Sequence, residues 1–227
     1  MKMFSARILS IGAFLISLSA SAQSPKEEAY YPPTLYRGCL TRIDLKRLVA
    51  NYKPGGLISI KGGKLLSTKN TNELPVVPDS SKVVLTVVTN NGSKTEVPLD
   101  VRQIPSPRFK CFINGVELSS DAHISSLKSL SVKSDPDPDF MAYSPSDSRF
   151  IVKSVEVDVD RNNTTIAKKV FTKADLQASD LSELEKVISD RDTLRITISR
   201  IYRITYLGKQ EAGGREQHFS AVYEKGK

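Results

Sequence analysis

The stretch from Leu194 to Leu207 constrains the fold of this chain more than any other, because it alternates for 14 residues. Large side chains recur at every second position, which is the period of a β-strand with one buried face. They are Leu194, Ile196, Ile198, Tyr202, Ile204 and Tyr206. Arg200 interrupts the parity, and we expect a break or corner there because an inward arginine is costly to bury unpaired. The pattern predicts a β protein.

Shorter strands and a tight turn come earlier in the chain. Leu57–Ile60 and Val83–Thr89 are predicted strands, and the second reaches Asn90-Asn91-Gly92, a hairpin signal because Asn and Gly tolerate positive φ. Glu96–Val101 is the predicted return strand. Pro98 within it indicates a sheet edge, since proline donates no ladder hydrogen bond.

The second half of the chain adds strands and helices. Phe109–Ile113 precedes a turn at Asn114-Gly115, and a short helix is predicted around Ser120–Ser129. Arg149–Asp160 alternates, with its acids toward solvent and a phase slip near Ser154 that is typical of a β-bulge.

A longer helix is predicted near residues 172–189. Asp180 and Glu183 match an N-cap pair. Apolar side chains recur on one helical face, namely Leu181, Leu184, Val187 and Ile188. We expect this stripe to cover a sheet as a lid; a partner-binding face is the alternative.

The sharpest boundary is the segment 102–107, where two prolines favour an extended, stiff joint. We place a first domain at 34–104 and a second at 105–227, with an ordinary loop inside one domain as the alternative. Residues 23–33 are polar and end in prolines, which suits a flexible lead-in.

The first 22 residues have the pattern of a secretory signal peptide. Lys2 and Arg7 precede an apolar run, and cleavage is expected between Ala22 and Gln23. An uncleaved anchor is the alternative, but it would need about 20 apolar residues. We therefore expect a periplasmic protein without a stable membrane anchor.

Charge is distributed unevenly between the halves. Residues 23–107 hold 12 Lys and Arg against 7 Asp and Glu, an excess of five, whereas residues 108–227 hold 19 against 18. A basic half attracts nucleic acid, anionic lipid or acidic protein, or is simply a solvated surface. Nucleic acid is not an expected partner, because no aromatic residues are interleaved with the basic ones.

No enzyme chemistry, cofactor site or metal site is predicted. His123 and His218 are isolated, and the Gly-Gly pairs lack the rest of a phosphate-binding loop. Asp135, Asp137 and Asp139 lie close in sequence, but a calcium loop also needs a glycine bend and a terminal glutamate. We expect residues 134–145 to form a rigid surface loop.

Cys39 and Cys111 are the only cysteines. An oxidising compartment permits a disulfide between them. The alternative, which we prefer, is two buried small hydrophobic side chains.

Several short motifs, in this order and spacing, resemble the last two domains of the gliding-motility and type IX secretion family GldM, also called PorM. They are Leu35-Tyr36-Arg37-Gly38, Ile60-Lys61-Gly62-Gly63-Lys64-Leu65, Asn91-Gly92, the joint 101–107, Asn114-Gly115 with Leu118-Ser119, residues 149–155, and Asp192-Thr193-Leu194-Arg195-Ile196. The likeness covers about residues 34–224.

The resemblance implies two tandem immunoglobulin-like β-sandwich domains, the second with a short helical insertion. In that family they form the periplasmic end of a dimeric stalk facing an outer-membrane-associated ring. A non-enzymatic binding or scaffolding protein is therefore expected, with ring components as partners and a homodimer as one assembly. The alternative is a secreted or surface module that binds glycan or peptide. It predicts an exposed aromatic cluster, for instance among Tyr202, Tyr206 and Tyr223.

Overall fold

The computed structural model describes residues 33–50, 52–67, 72–172 and 177–225. The predicted signal peptide, its cleavage site at Ala22 and Gln23, and all of the predicted lead-in except Pro33 lie outside these residues. Strands dominate the described chain, and each half folds as a pair of facing sheets. The predicted class, mainly β with sandwich sheets, is confirmed.

Within the described residues, the first half contains seven strands and one helical turn. They are β1 (Leu35–Tyr36), β2 (Thr41–Asp44), α1 (Leu45–Leu48), β3 (Leu57–Lys61), β4 (Gly63–Leu65), β5 (Glu73–Pro78), β6 (Lys82–Val88) and β7 (Lys94–Arg102). One sheet has the order β1-β7-β6-β3 and the other β2-β5-β4. If β2 to β7 are equated with immunoglobulin strands B to G, these orders are G-F-C and B-E-D, the two sheets of that fold.

The second half contains the longer strands. They are β8 (Arg108–Ile113), β9 (Val116–Glu117), β10 (Ala122–Ile124), β11 (Ser129–Asp135), α2 (Pro138–Tyr143), β12 (Arg149–Arg161), β13 (Thr164–Phe171), β14 (Gln177–Asp180), α3 (Ser182–Glu185), β15 (Thr193–Ile204), β16 (Gln210–Ala212) and β17 (Gln217–Tyr223). The large sheet has the order β10-β17-β15-β12-β13, with β16 beside β15, and it faces β14-β11-β8-β9.

Two hydrophobic clusters fill the sandwiches. One packs Ile43 and Val76 of one sheet against Leu85 and Leu99 of the other. The second cluster lies between the sheets of the second half and also takes in Tyr36 from the first. The two halves therefore share core packing at their junction.

The corner predicted at Arg200 is confirmed: its φ is +52°. On β12 and β15, Val152 pairs with Ile201 and, two residues further on, Ser154 pairs with Ser199. Each strand therefore has one residue between these two pairs, and neither strand carries an extra residue. The bulge predicted near Ser154 is therefore misplaced. The register shift on β12 occurs instead against β13, after Val159.

One helix prediction is wrong, and the other holds only in part. Residues 122–124, inside the first predicted helix, form β10, which pairs with β17 in parallel. Of the helix predicted near 172–189, residues 173–176 lie outside the described residues; among the described ones, 177–180 form β14 and only Ser182–Glu185 is helical. A single turn followed by a loop buries Leu181, Leu184 and Ile188 against the second core, so these three act as the predicted lid. Val187, the fourth residue of the stripe, is 45% exposed and takes no part in it.

Candidate interaction surfaces

The edge position predicted for Pro98 is confirmed in the geometry of β7. One side of β7 pairs with β6 from Lys94 to Asp100, with Pro98 opposite Val84. The other side pairs, within the described residues, only at its end, where β1 contacts Val101 and Arg102. Unpaired strand edges accept strands from partner proteins. The outer side of residues 94–100 is therefore a candidate docking edge on the basic half.

A network of ion pairs covers the outer face of the large sheet. Asp158 lies at its centre, with Arg195 Nη2 at 3.0 Å from Oδ2 and Lys168 Nζ at 3.6 Å from Oδ1. Arg195 also contacts Asp160 at 3.2 Å, and Lys168 contacts Glu156 at 2.8 Å. The hydrogen bond to Asp158 and then the charge of Asp160 raise the pKa of Arg195. The hydrogen bond to Glu156 raises the pKa of Lys168.

The prediction that the acids of this strand face solvent is wrong for Asp158. Its side chain is only 5% exposed. Arg195 and Lys168, on the neighbouring strands, lie over the carboxylate and compensate its charge, so its burial is tolerated.

A buried ion pair lies at the junction between the halves. Arg203 Nη1 donates to Asp147 Oδ1 at 2.6 Å, and both side chains are 4% exposed or less. Arg203 also contacts Glu211 at 2.6 Å, and Asp147 accepts the backbone N–H groups of Leu40 and Tyr206. The Leu40 bond joins the first half directly to the second. Sequence reasoning missed this pair, because the two residues lie on separate segments with no shared motif.

Aromatic and hydroxyl contacts complete the junction. Tyr36 packs edge-on against Phe140 of α2, with ring centroids 4.8 Å apart. Thr41 and Ser144, both buried, share a hydrogen bond of 3.1 Å. Burial, and secondly the nearby Asp137 carboxylate, raise the pKa of the Tyr36 phenol. The junction is therefore a packed interface.

Both cysteines are free and buried, and they belong to the same hydrophobic cluster. Cys39 lies at the junction, where its Sγ accepts a hydrogen bond from Arg203 at 3.3 Å. Burial raises the pKa of each thiol to about 12. A thiol with so high a pKa is mostly protonated at neutral pH and is therefore a poor nucleophile.

The acidic segment predicted as a rigid loop contains a helix. Asp137 caps α2 by accepting the backbone N–H of Phe140 at 2.9 Å, and Asp139 lies 3.8 Å from Arg102. Asp135 ends β11. The described residues hold no group of three or more His, Cys, Asp or Glu placed to bind a metal ion.

The aromatic cluster expected of a glycan-binding surface is not present among the three tyrosines named for it. Tyr223 is buried, and Tyr202 and Tyr206 are half-buried. Lys153 covers one face of the Tyr202 ring, with its Nζ 4.9 Å from the ring centroid. These three tyrosines therefore do not form the exposed cluster that a glycan-binding surface would need.

None of the helices in the described part of the chain has the length and apolar character needed to cross a membrane.

No protein-family model and no curated protein matches the chain. Solved structures that the chain resembles include fibronectin(III)-like modules and an insect immune protein. Fibronectin(III)-like modules of Clostridium thermocellum CbhA share 9% identity over 87% of this chain and 92% of theirs, with a TM-score of 0.24. The insect immune protein hemolin shares 7% over 87% of this chain and 46% of its own, with a TM-score of 0.28. At TM-scores this low, the fold assignment rests on the strand pairings described above.

Proposed function

We propose that this chain is a non-enzymatic, periplasmic protein-binding module that docks partners on the outer edge of β7. We also propose the identity of the partner. As the resemblance to GldM implies, it is an outer-membrane-associated ring component of the machinery for gliding motility or type IX secretion. The outer edge of residues 94–100 carries the proposal. It pairs with no strand of the described residues and so offers backbone hydrogen-bonding groups to a strand of another protein.

The junction supports this function. Protein-binding modules in series present a defined surface when their relative orientation is fixed. Here Leu40, Tyr36 and Thr41 of the first half bond or pack against the second. The β7 edge is thereby held on a larger, stable body.

Pro98 fits a specific rather than a general docking edge. An open strand edge is an aggregation hazard, and proline is one of the residues that limit it. Because Pro98 lacks an N–H, an arriving strand must tolerate that position, which narrows the range of partners.

Site-directed photo-crosslinking tests the proposal. A photoreactive amino acid replaces Asp100, an exposed residue on β7, and a matched variant carries it at Val116, exposed on the second half. In the envelope of a Bacteroidota cell we expect the Asp100 variant alone to crosslink to an outer-membrane ring component, identified by mass spectrometry. Crosslinks to ring components from Val116 alone, or from neither site, would overturn the proposal.

A further inference from the structure

Two Asn-Gly dipeptides occur in the sequence, Asn91-Gly92 and Asn114-Gly115. Each lies at the tip of a hairpin, the first between β6 and β7 and the second between β8 and β9, and all four residues are exposed. An asparagine side-chain amide is open to attack by the backbone nitrogen of the next residue. Glycine in that position hinders the attack least, because it has no Cβ. The two tips therefore share one intrinsic reactivity, and their surroundings decide how much of it remains in the folded chain.

The side chain of Asn114 is tethered at both ends. Its Nδ2 donates to the carbonyl oxygen of Ser126 at 2.9 Å and to the hydroxyl oxygen of the same residue at 2.7 Å. Its Oδ1 accepts the backbone N–H groups of Lys128 at 2.9 Å and Ser129 at 3.0 Å. A reaction at this amide must therefore break bonds to a distant segment of the chain.

The side chain of Asn91 is held only through its oxygen. Oδ1 accepts hydrogen bonds from the hydroxyl of Thr89 and from the backbone N–H of Ser93, the latter at 3.2 Å. Because a backbone N–H only donates, the Ser93 bond identifies this atom as the oxygen. Nδ2 of Asn91 makes no hydrogen bond within the described residues. The nitrogen is thus free to leave, while two donors lie at the oxygen on which negative charge would develop.

We propose that Asn91 is a site of spontaneous deamidation and that Asn114 is protected from it. The backbone nitrogen of Gly92 loses its proton to hydroxide and bonds to Cγ of Asn91. The Cγ–Nδ2 bond then breaks, ammonia leaves, and a cyclic imide remains. Water adds across either of the two imide bonds, which gives aspartate or isoaspartate. During the attack, the Thr89 hydroxyl and the Ser93 N–H stabilise the negative charge on Oδ1.

One hydrogen bond opposes the attack at Asn91. The N–H of Gly92 donates to the carbonyl oxygen of Thr89 at 2.8 Å and must be released first. That bond closes a single exposed turn, and such turns open at a small cost in free energy. The bonds of Asn114 must break together with the packing of the hairpin against residues 126–129. We expect Asn91 to react about tenfold faster than Asn114, which corresponds to about 1.4 kcal/mol.

The modification changes the start of β7. Either product adds a carboxylate three residues before Lys94, the first residue of that strand, and isoaspartate also lengthens the backbone by one atom. The inference does not depend on the proposed function, because the reaction requires only water. Crosslinking at Asp100 tests the proposed function separately, so failure of one is distinguishable from failure of the other.

Peptide mapping by mass spectrometry tests the inference on the full chain. One sample is kept folded at pH 8, and another is unfolded in guanidinium chloride at the same pH. Chromatography separates the aspartate and isoaspartate products of each tip. In the unfolded chain we expect Asn91 and Asn114 to convert at similar rates, since both precede glycine. Folding should slow Asn114 about tenfold more than Asn91.

Thr89→Val tests the role of the hydroxyl. The substitution removes one donor to Oδ1 and should slow conversion of Asn91 about fivefold, the effect of losing about 1 kcal/mol, while Asn114 is unchanged. A substitution that merely loosened the turn would speed the reaction, so the direction of the change separates the two roles. Thr86→Val, the same exchange on β6, is the matched control and should leave both rates unchanged.

Three results would overturn the inference. They are equal slowing of both asparagines by folding, faster conversion of Asn114 than of Asn91 in the folded chain, and a Thr89→Val rate equal to or above that of the unaltered chain.

Discussion

The two halves of the molecule share a sandwich plan but bury different kinds of groups. In the first half, Thr41 is the one polar residue buried within the described chain. The second half buries three carboxylates and a guanidinium, those of Asp147, Asp158, Asp192 and Arg203. Apolar burial thus holds the first half together, whereas the second also depends on compensated charge.

This difference follows from how the strands are used. The strands of the first half are short, and their inward positions are apolar. In the second half, β15 reverses its buried face at Arg200, which turns Arg203 inward toward the junction. A buried charge requires a partner, and Asp147 provides it. We therefore expect removal of a charge, or a change of pH, to lower stability through the second half. In the first half, we expect stability to fall when a buried side chain is made smaller.

Arg203→Met should have the largest effect. The substitution leaves the fully buried Asp147 carboxylate without its cation, and breaking a buried pair costs about 3–5 kcal/mol. Urea unfolding measures the change. Adding Asp147→Asn removes the stranded charge and should recover part of the loss. A single variant as stable as the unaltered chain would show that the pair contributes little.

Leu85→Ala probes the first half. Leu85 is fully buried in the apolar cluster, and deleting a buried leucine side chain costs about 2–5 kcal/mol. We expect this loss to be the same at pH 7 and pH 4, because the buried residues of that cluster are all aliphatic. Leu57→Ala, at a residue 77% exposed on β3, is the matched control and should change stability by less than about 0.5 kcal/mol.

Local patterns were sufficient to predict much of the fold. The strands around Leu57–Ile60 and Val83–Thr89 and the turns at Gly92 and Gly115 were recognisable because their signals lie within a few residues. The break at Arg200 was recognisable for the same reason. Periodicity and turn chemistry depend only on residues that are close in sequence, so the sequence itself contains the information needed to recognise them.

Long-range partners were not predictable in this way. Asp158 had been expected in solvent because its strand alternates, yet Arg195, 37 residues later, covers it. Asp147 is paired with Arg203, 56 residues away, and no motif links them. The helix predicted around Ser120–Ser129 failed because β10 is specified by β17, near the end of the chain.

The substitutions Gly62→Ala and Gly92→Ala compare two glycines of the first half. Gly62 has a φ of +83°, and an added Cβ would lie 2.1 Å from the carbonyl oxygen of Lys82, so the backbone must move. Gly92 has a φ of +81° with open space around it. We expect thermal unfolding to show a loss of up to about 3 kcal/mol for Gly62→Ala and about 1 kcal/mol for Gly92→Ala. Equal losses would mean that the close approach at Gly62 relaxes without cost.

Asp192→Asn should have the smallest effect and the clearest pH dependence. The hydrogen bonds from Arg161 lower the pKa of Asp192, and the Ser189 N–H adds to the effect. Because the folded pKa is lowered, this stabilisation is present above the ordinary aspartate pKa of about 4 and is lost as the pH falls through the folded value. At pH 7 we expect Asp192→Asn to lose about 1 kcal/mol, and the deficit should shrink below pH 4.

The matched control for this substitution lies in the first half. Asp79 is exposed, and its carboxylate makes no hydrogen bond or ion pair within the described residues. Asp79→Asn should therefore change stability by less than about 0.5 kcal/mol at either pH. Urea unfolding of both variants at pH 7 and pH 3 gives the comparison. A deficit for Asp192→Asn that persists undiminished at pH 3 would assign its role to shape rather than charge. The contrast between the two halves would then rest on Asp158 and on the pair of Arg203 with Asp147.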